Sequence, residues 1–326
     1  MQNQAAKKKI VILDAYTTNP GDLSWEALET CGELTVHDRT PPEKILERAG
    51  DAEIVLTNKA RLTADIIERL PKLKLVCLMS TGTNAVDLKA CEARGIPVSN
   101  VPEYSTASVS ELVAAYLLDW SREVSVHFRS VREGEWSRST DFCYTHTPQR
   151  ELNGRIMGLV GFGAIGQAVA AMALGLGLRV RVYTPNPHNK PLLGQVHVDM
   201  DKLVRTSDFI SLHCPLSPET RHLVNEAFIA RMKPGAILIN TGRGELLDDA
   251  VVAEALRSGR LSGAYLDVLT PEPPPADHPL LSAPNCHITP HLGWATREAR
   301  QRLVDDLLAN VNAYLKGDPR NVVNQP

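Results

Sequence analysis

The sequence predicts an α/β protein of two parallel-sheet domains, the central one inserted into a discontinuous outer one. Short β-branched, apolar runs alternate with amphipathic stretches from residue 9 onward, as parallel strands covered on both faces by helices do. That alternation breaks near residue 105 at a long helical pattern and resumes near residue 156. The chain then closes on a long amphipathic helix with no strand after it. A length of 326 residues leaves room for two domains, each with its own core.

In the first hundred residues, Lys9–Leu13, Leu34–His37, Glu53–Leu56, Leu73–Met79 and Ile96–Ser99 have strand character. Leu23–Cys31, Glu43–Ala49, Ala64–Leu70 and Val86–Arg94 between them have helical spacing. One long helix is expected from Ser105 to about Val131, opened by Ser/Thr caps, with Leu112, Ala115, Tyr116 and Leu118 as its apolar stripe. It serves either as a bridge between domains or as an ordinary core helix. Gly134–Glu151, with Trp136, Phe142, Tyr144 and His146, is irregular. The rhythm returns with a strand at Ile156–Val160 and a helix from Ala164. Further strands are expected at Arg179–Tyr183, Phe209–Leu212, Ala236–Asn240, Gly263–Leu266 and Cys286–Thr289. The proline-rich run Pro271–Pro279 is a shaped loop. The last helix, Arg297–Lys316, puts Leu303, Leu307, Asn310 and Val311 on one side, as a helix packing back on the first domain would. The expected division is therefore 1–102 with 293–326 outside and 103–292 inside.

Composition excludes several classes. Thirty-five basic against 38 acidic residues leave a net charge of -3, so no global basic field draws the chain to nucleic acid or anionic lipid. The longest apolar runs fall far short of the ~20 residues of a membrane span. Lys7-Lys8-Lys9 is followed by only a short apolar stretch before Asp14, which does not make a secretory signal. The six scattered cysteines form no Cys-x-x-Cys pair and have no zinc spacing, so a reduced, cytoplasmic chain without a metal is expected.

The chemistry begins at Gly161-Phe162-Gly163-Ala164-Ile165-Gly166, which follows a strand and opens a helix. Gly161 permits a tight turn, Gly163 lets a pyrophosphate approach the backbone, and Gly166 allows close helix–strand packing. The helix N-terminus supplies N–H groups and positive dipole. In that context the motif points to a bound dinucleotide, and so to a Rossmann-like centre. The second strand should end in an acid that holds the ribose of NAD, but Thr184 stands there. No carboxylate repels a 2′-phosphate at that point, and Asn186, His188 and Lys190 are near enough in sequence to meet one. Both NAD and NADP remain open.

Three more segments end strands on the edge where an open parallel sheet binds ligands: Asn240–Gly244, Leu266–Pro273 and Thr289–Trp294. They carry Arg243, Glu272 and His291. Singly these residues are a surface charge, a loop acid and a structural histidine. Beside a nucleotide turn they suit redox chemistry on an anion. Arginine offers a planar fork to a carboxylate and carbonyl, and histidine titrates near neutrality.

The chain resembles the D-isomer-specific 2-hydroxyacid dehydrogenases from end to end, through Gly161–Gly166, Thr241–Gly244, Asp267–Glu272 and Pro290-His291. Tyr16–Trp25, Glu272–Leu280 and Trp294–Arg300 look most like the glycerate dehydrogenase (hydroxypyruvate reductase) branch. The resemblance implies two Rossmann-like/flavodoxin-like domains, the cofactor domain inserted into the substrate domain. It implies Arg243, Glu272 and His291 as the catalytic set. Ser80, Thr81 and Gly82, with Arg243 and His291, would meet the substrate. Besides the glycine turn with Ala164 and Ile165, the cofactor would contact Thr184, Cys214, Pro215, Thr220, Thr241, Gly242, Arg243, Asp267, His291 and Gly293. It also implies reduction of a small 2-keto acid, hydroxypyruvate or glyoxylate, and a homodimer formed through the cofactor domain. In that dimer Trp136–His146 would cross to the partner, or else pack as a surface loop of one chain. Alternatives are phosphoglycerate dehydrogenase, for which Lys59 and Arg61 are few cations, another 2-keto acid reductase, and a nucleotide-sensing, corepressor-like binding protein.

Overall fold

The computed structural model describes residues 7–185 and 194–324. Two compact units divide it, Met1–Ser105 with Ala295–Pro326, and Thr106–Trp294. Each is built on a parallel sheet, the class the strand pattern predicts.

In the first unit, β1 (Lys9–Ile12), β2 (Glu33–Val36), β3 (Ile54–Thr57), β4 (Leu75–Leu78) and β5 (Val98–Ser99) pair in the order β2-β1-β3-β4-β5. This is the flavodoxin-like order, with its crossover between β1 and β3. Every residue of β3 and β4 is buried, which is why these strands are apolar throughout rather than alternating. The helices are α1 (Glu26–Glu29), α2 (Ile45–Ala49), α3 (Ala64–Glu68) and α4 (Leu88–Ala93), the last two capped by Thr63 and Asp87. The helix expected over Leu23–Cys31 is reduced to α1. The Asn19 side chain bonds both the N–H and the carbonyl of Leu23, holding that residue in a loop.

The closing helix runs Arg297–Leu315, and Leu303, Leu307, Asn310 and Val311 are buried on it as its stripe predicts. Near its start, Arg300 makes two 2.7 Å bonds to the Asp22 carboxylate. Beyond it, Asn324 bonds Val98 and Ile96.

The second unit opens with α5 (Thr106–Arg122), α6 (Val124–Arg132) and α7 (Glu135–Arg138). The single long helix expected here is broken at Glu123, whose φ of 42° is left-handed and cannot continue a right-handed helix. The buried face of α5 is also turned from the expected one. Val109, Val113, Tyr116 and Leu117 are buried, whereas Leu118 is 46% exposed and Ala115 faces solvent.

The remaining strands are β6 (Ile156–Val160), β7 (Arg179–Tyr183), β8 (Val196–His197), β9 (Phe209–Leu212), β10 (Ala236–Asn240), β11 (Leu261–Leu266) and β12 (Cys286–Ile288). Helix α8 (Ala164–Gly175) follows β6, and α9 (Met200–Thr206), α10 (Glu226–Arg231) and α11 (Asp249–Arg257) follow later strands. The sheet order is β12-β11-β10-β9-β6-β7-β8, all pairs parallel, with the crossover between β6 and β9. One face packs on Leu203, Phe228, Leu246 and Val252, the other on Val113, Leu117, Phe162 and Val169. Every loop that leaves a strand end therefore emerges on one edge. Among the described residues no helix is long and apolar enough to cross a membrane. The six cysteines are free thiols.

Candidate active site

The glycine turn sits at the crossover of the seven-stranded sheet. Gly161 has φ +100°, and a Cβ there would lie 2.5 Å from the His213 backbone and 2.6 Å from the Cys214 nitrogen. A side chain at Gly166 would meet the Gly161 carbonyl at 2.5 Å, so α8 can approach β6 this closely only with glycine there. Gly163 is exposed, with open space where its side chain would be. Ala164 and Ile165 follow, partly exposed, at the start of the twelve-residue α8. These are the features a pyrophosphate needs: a bare backbone, an open approach and unpaired helix N–H groups.

Loops from β9 and β7 flank the turn. His213 follows β9 with a 2.9 Å hydrogen bond between its Nε2 and Ser211, and burial pushes its imidazole down to about 4. Burial pushes the Cys214 thiol up, so it stays protonated. Thr220 closes the loop, its hydroxyl donating to the Pro215 carbonyl and accepting from the Ser217 N–H, each at 2.7 Å. Thr184 follows β7; Asn186, His188 and Lys190 lie outside the described residues.

After β10, the buried Asn240 shapes the turn. Its side-chain N–H donates to the Arg243 carbonyl at 2.8 Å, and its oxygen accepts from Gly242 N–H at 3.0 Å. The Thr241 hydroxyl is buried without a partner, the kind of orphan a bound cofactor would satisfy. Arg243 bonds the Gly242 carbonyl through one Nη at 2.8 Å and, among the described residues, has no carboxylate at ion-pair distance. Its cation therefore remains available to an anion. At Gly244 the Leu269 carbonyl group and the Thr270 hydroxyl lie so close that any side chain would overlap them. The absent Cβ at Gly244 thus lets the loop carrying Glu272 run against the turn carrying Arg243.

Asp267, after β11, is 2% exposed. It accepts from the Thr289 hydroxyl at 2.6 Å and from the N–H groups of Leu292 and Gly293 at 2.9 and 2.8 Å. Burial raises its pKa, against the pull of those donors. Thr289 also bonds the buried Tyr116 hydroxyl. This scaffold suspends the Thr289–Gly293 loop and holds His291 at φ 51°, a left-handed conformation unusual for a side chain of its size. There His291 Nδ1 meets Glu272 Oε2 at 2.6 Å, each side chain 29% exposed. Because Nδ1 donates to the carboxylate, Nε2 is the nitrogen left to face a substrate.

Sequence reasoning picked out Arg243, Asp267, Glu272 and His291, and the fold brings them to the edge of adjacent strands β10, β11 and β12. It took Tyr116 only as part of an apolar stripe and Asn240 only as the start of a strand-end segment, and it passed over His213, whose only signal was a polar residue beside an apolar run. Ser80, Thr81 and Gly82 belong to the first unit, after β4. The Ser80 hydroxyl donates to the Gly82 carbonyl at 2.7 Å, within its own loop, and that of Thr81 to the Val101 carbonyl, after β5, at 2.8 Å.

A parallel sheet with a dinucleotide turn at its crossover and a carboxylate-held imidazole on the same edge defines a class, the nicotinamide-dependent dehydrogenases. Comparison with known proteins narrows it. The D-isomer specific 2-hydroxyacid dehydrogenase NAD binding domain matches residues 114–293. A hydroxypyruvate reductase of Blautia hydrogenotrophica is 44% identical over 323 residues, covering 97% of this chain and 100% of that one. A glycerate dehydrogenase of Methylorubrum extorquens is 38% identical, covering 97% and 99%. Among solved structures, D-lactate dehydrogenase from Aquifex aeolicus, complexed with NAD and lactic acid, superposes with TM-score 0.83 at 28% identity, covering 98% and 100%. An acyclic imino acid reductase in complex with NADPH and D-Arg superposes with TM-score 0.84 at 30% identity, covering 97% and 99%. The chain belongs to the D-isomer-specific 2-hydroxyacid dehydrogenase family.

Proposed function

We propose that this protein reduces a small 2-keto acid with NADH or NADPH, hydroxypyruvate to D-glycerate first and glyoxylate to glycolate second. The observation that carries the reading is the 2.6 Å His291–Glu272 contact, in a chain 44% identical to a hydroxypyruvate reductase. The nicotinamide, when bound, supplies hydride to the keto carbon. Arg243 holds the substrate carboxylate and carbonyl with its fork of donors. As negative charge develops on the carbonyl oxygen, His291 delivers the Nε2 proton to it, and Glu272 at Nδ1 stabilises the imidazolium that must be present beforehand. In the reverse direction neutral His291 takes the hydroxyl proton. Gly161, Gly163 and Gly166, with Ala164 and Ile165, receive the pyrophosphate. Thr184, Cys214, Pro215, Thr220, Thr241, Gly242, Asp267 and Gly293 line the rest of the dinucleotide site. The central domain, taken as 103–292, serves as the cofactor domain, and the outer one, 1–102 with 293–326, as the substrate domain.

The same reading includes a homodimer through the cofactor domain, in the cytoplasm. Phe142 is 88% exposed, and Leu118, Phe128, Val131 and Trp136 are also exposed, more apolar surface than residues 118–142 would leave in water. Light scattering after gel filtration tests the dimer. Steady-state oxidation of NADH and of NADPH with hydroxypyruvate, glyoxylate and pyruvate tests the reaction. Hydroxypyruvate should give the highest kcat/KM, and silence with all three would overturn the assignment.

A further inference from the structure

His278 lies six residues beyond Glu272 and is 5% exposed, a degree of burial that obliges its ring to be hydrogen-bonded. Its Nε2 is 3.1 Å from Asp249 Oδ2, at the start of α11, and 3.3 Å from the Thr270 carbonyl. Its Nδ1 accepts from the Leu280 N–H at 3.4 Å. Two acceptors at Nε2 and a donor at Nδ1 fit a single tautomer, neutral with the proton on Nε2. The ring thus ties three points of the loop and α11 together. One of them, Thr270, lies beside Leu269, whose N–H donates to Glu272 Oε1 at 3.2 Å. That bond occupies one oxygen of Glu272 and leaves Oε2 on His291.

Resting on the proposed reductase reading, we propose that His278, seated on Asp249, is a positioning residue: it fixes the Leu269–Glu272 turn and so aims Glu272 at His291. It touches neither substrate nor cofactor. The same turn is also packed on Gly244, where the Leu269 carbonyl group and the Thr270 hydroxyl occupy the space of a side chain. The turn is therefore held between the His278 imidazole and the segment carrying Arg243. Without the imidazole the turn loses its tie at the Thr270 carbonyl, and Glu272, bonded to the adjacent Leu269 N–H, is no longer held on Nδ1. Charged groups facing His291 are Glu272 and Asp267; those facing Asp249 are His278, Asp248 and His222.

A merely structural role for His278 would lower stability and leave the proton chemistry alone. Reduction requires protonated His291, and the Glu272 carboxylate 2.6 Å from Nδ1 is the partner that holds that imidazolium. If His278 aims Glu272, then His278→Ala lowers kcat at least ~10-fold and moves the basic limb of the kcat profile down by at least ~0.5 pH units. The dissociation constant for NADH should stay within about twofold, because His278 does not touch the cofactor site. His278→Gln, whose amide keeps a donor near Nε2, should restore most of the limb. In a Glu272→Gln background, His278→Ala should have no further effect on kcat, since the pair it serves is gone. Should His278→Ala fail to fold, Asp249→Asn, on the surface side of the contact, is read the same way. A folded His278→Ala or Asp249→Asn with the wild-type limb overturns the proposal, as does an additive loss in the Glu272→Gln background. A wild-type protein inert to every 2-keto acid would overturn the reductase reading, and is told apart because no profile would exist to shift.

Discussion

The two sheets use one device at their carboxyl ends and put it to different use. In the first unit Asp14, just past β1, accepts from the N–H groups of Asn58, Lys59 and Ala60 at 2.8, 2.5 and 2.9 Å, folding the loop after the neighbouring β3. In the second unit Asp267, past β11, does the same for the loop after the neighbouring β12. Both carboxylates substitute for a turn's missing backbone partners. The difference lies in what the folded loop carries. Asp14 shapes the Asn58–Ala60 loop, whereas Asp267 shapes one that holds His291 in a left-handed backbone and on Glu272. A strand-end aspartate is thus a scaffold, and the difference between the two units lies in the side chains it places, the Glu272–His291 pair in the second.

That contrast can be broken most severely at His291. His291→Ala should keep cofactor binding and lose ~10²–10⁴-fold in kcat, measured with saturating NADH; near wild-type reduction of hydroxypyruvate would remove the residue from the mechanism. Asp267→Ala leaves Thr289, Leu292 and Gly293 without their acceptor. A displaced His291 should cost ~10²-fold in kcat/KM while the fold persists by circular dichroism. Arg243→Ala should raise KM for the keto acid ~10-fold or more and also lower kcat, since the cation acts on ground and transition states alike; an unchanged KM would count against it.

Smaller effects sharpen the same comparison. Asp14→Ala should cost about 1–3 kcal/mol of stability, seen as a lower thermal midpoint, with kcat altered far less than by Asp267→Ala. Equal losses of activity in the two variants would erase the distinction drawn between the sheets. Under the glycine turn, His213 is held neutral by burial, its pKa lowered from 6.5 to about 4. A folded-state pKa below the unfolded one means that the unfolded chain binds more protons in that window. Its contribution is therefore present above pH 6.5 and lost as pH falls toward about 4. The thermal midpoint should decline across that range by a few degrees less in His213→Gln than in wild type.

The two regions also differ in how far they were legible. Strands β6, β7, β9 and β10 fall where the apolar runs place them, because a buried parallel strand has little freedom in composition. Helix α1 and the break at Glu123 were not legible. One depends on a side-chain bond from Asn19, the other on a single left-handed residue inside an unbroken helical pattern. Val196–His197 is too short to carry a period. The glycine turn could be read residue by residue, since the motif's spacing, the strand before it and the helix after it are all local in sequence, although the backbone that Gly161 admits, His213–Cys214, is not. The Glu272–His291 pair could be named only from residue type and order.

By itself, then, the sequence determined two parallel sheets and the dinucleotide turn, because strand burial and tight turns restrict residue type locally, and it offered Arg243, Glu272 and His291 as candidates through residue type, order and family resemblance. The tertiary structure decided the rest. It set which oxygen of Glu272 faces His291, which nitrogen remains for a substrate, and which buried partners hold the two loops in place. Those choices depend on hydrogen bonds such as Tyr116–Thr289 and Asp249–His278, between residues 173 and 29 positions apart, and no local pattern encodes a contact at that separation.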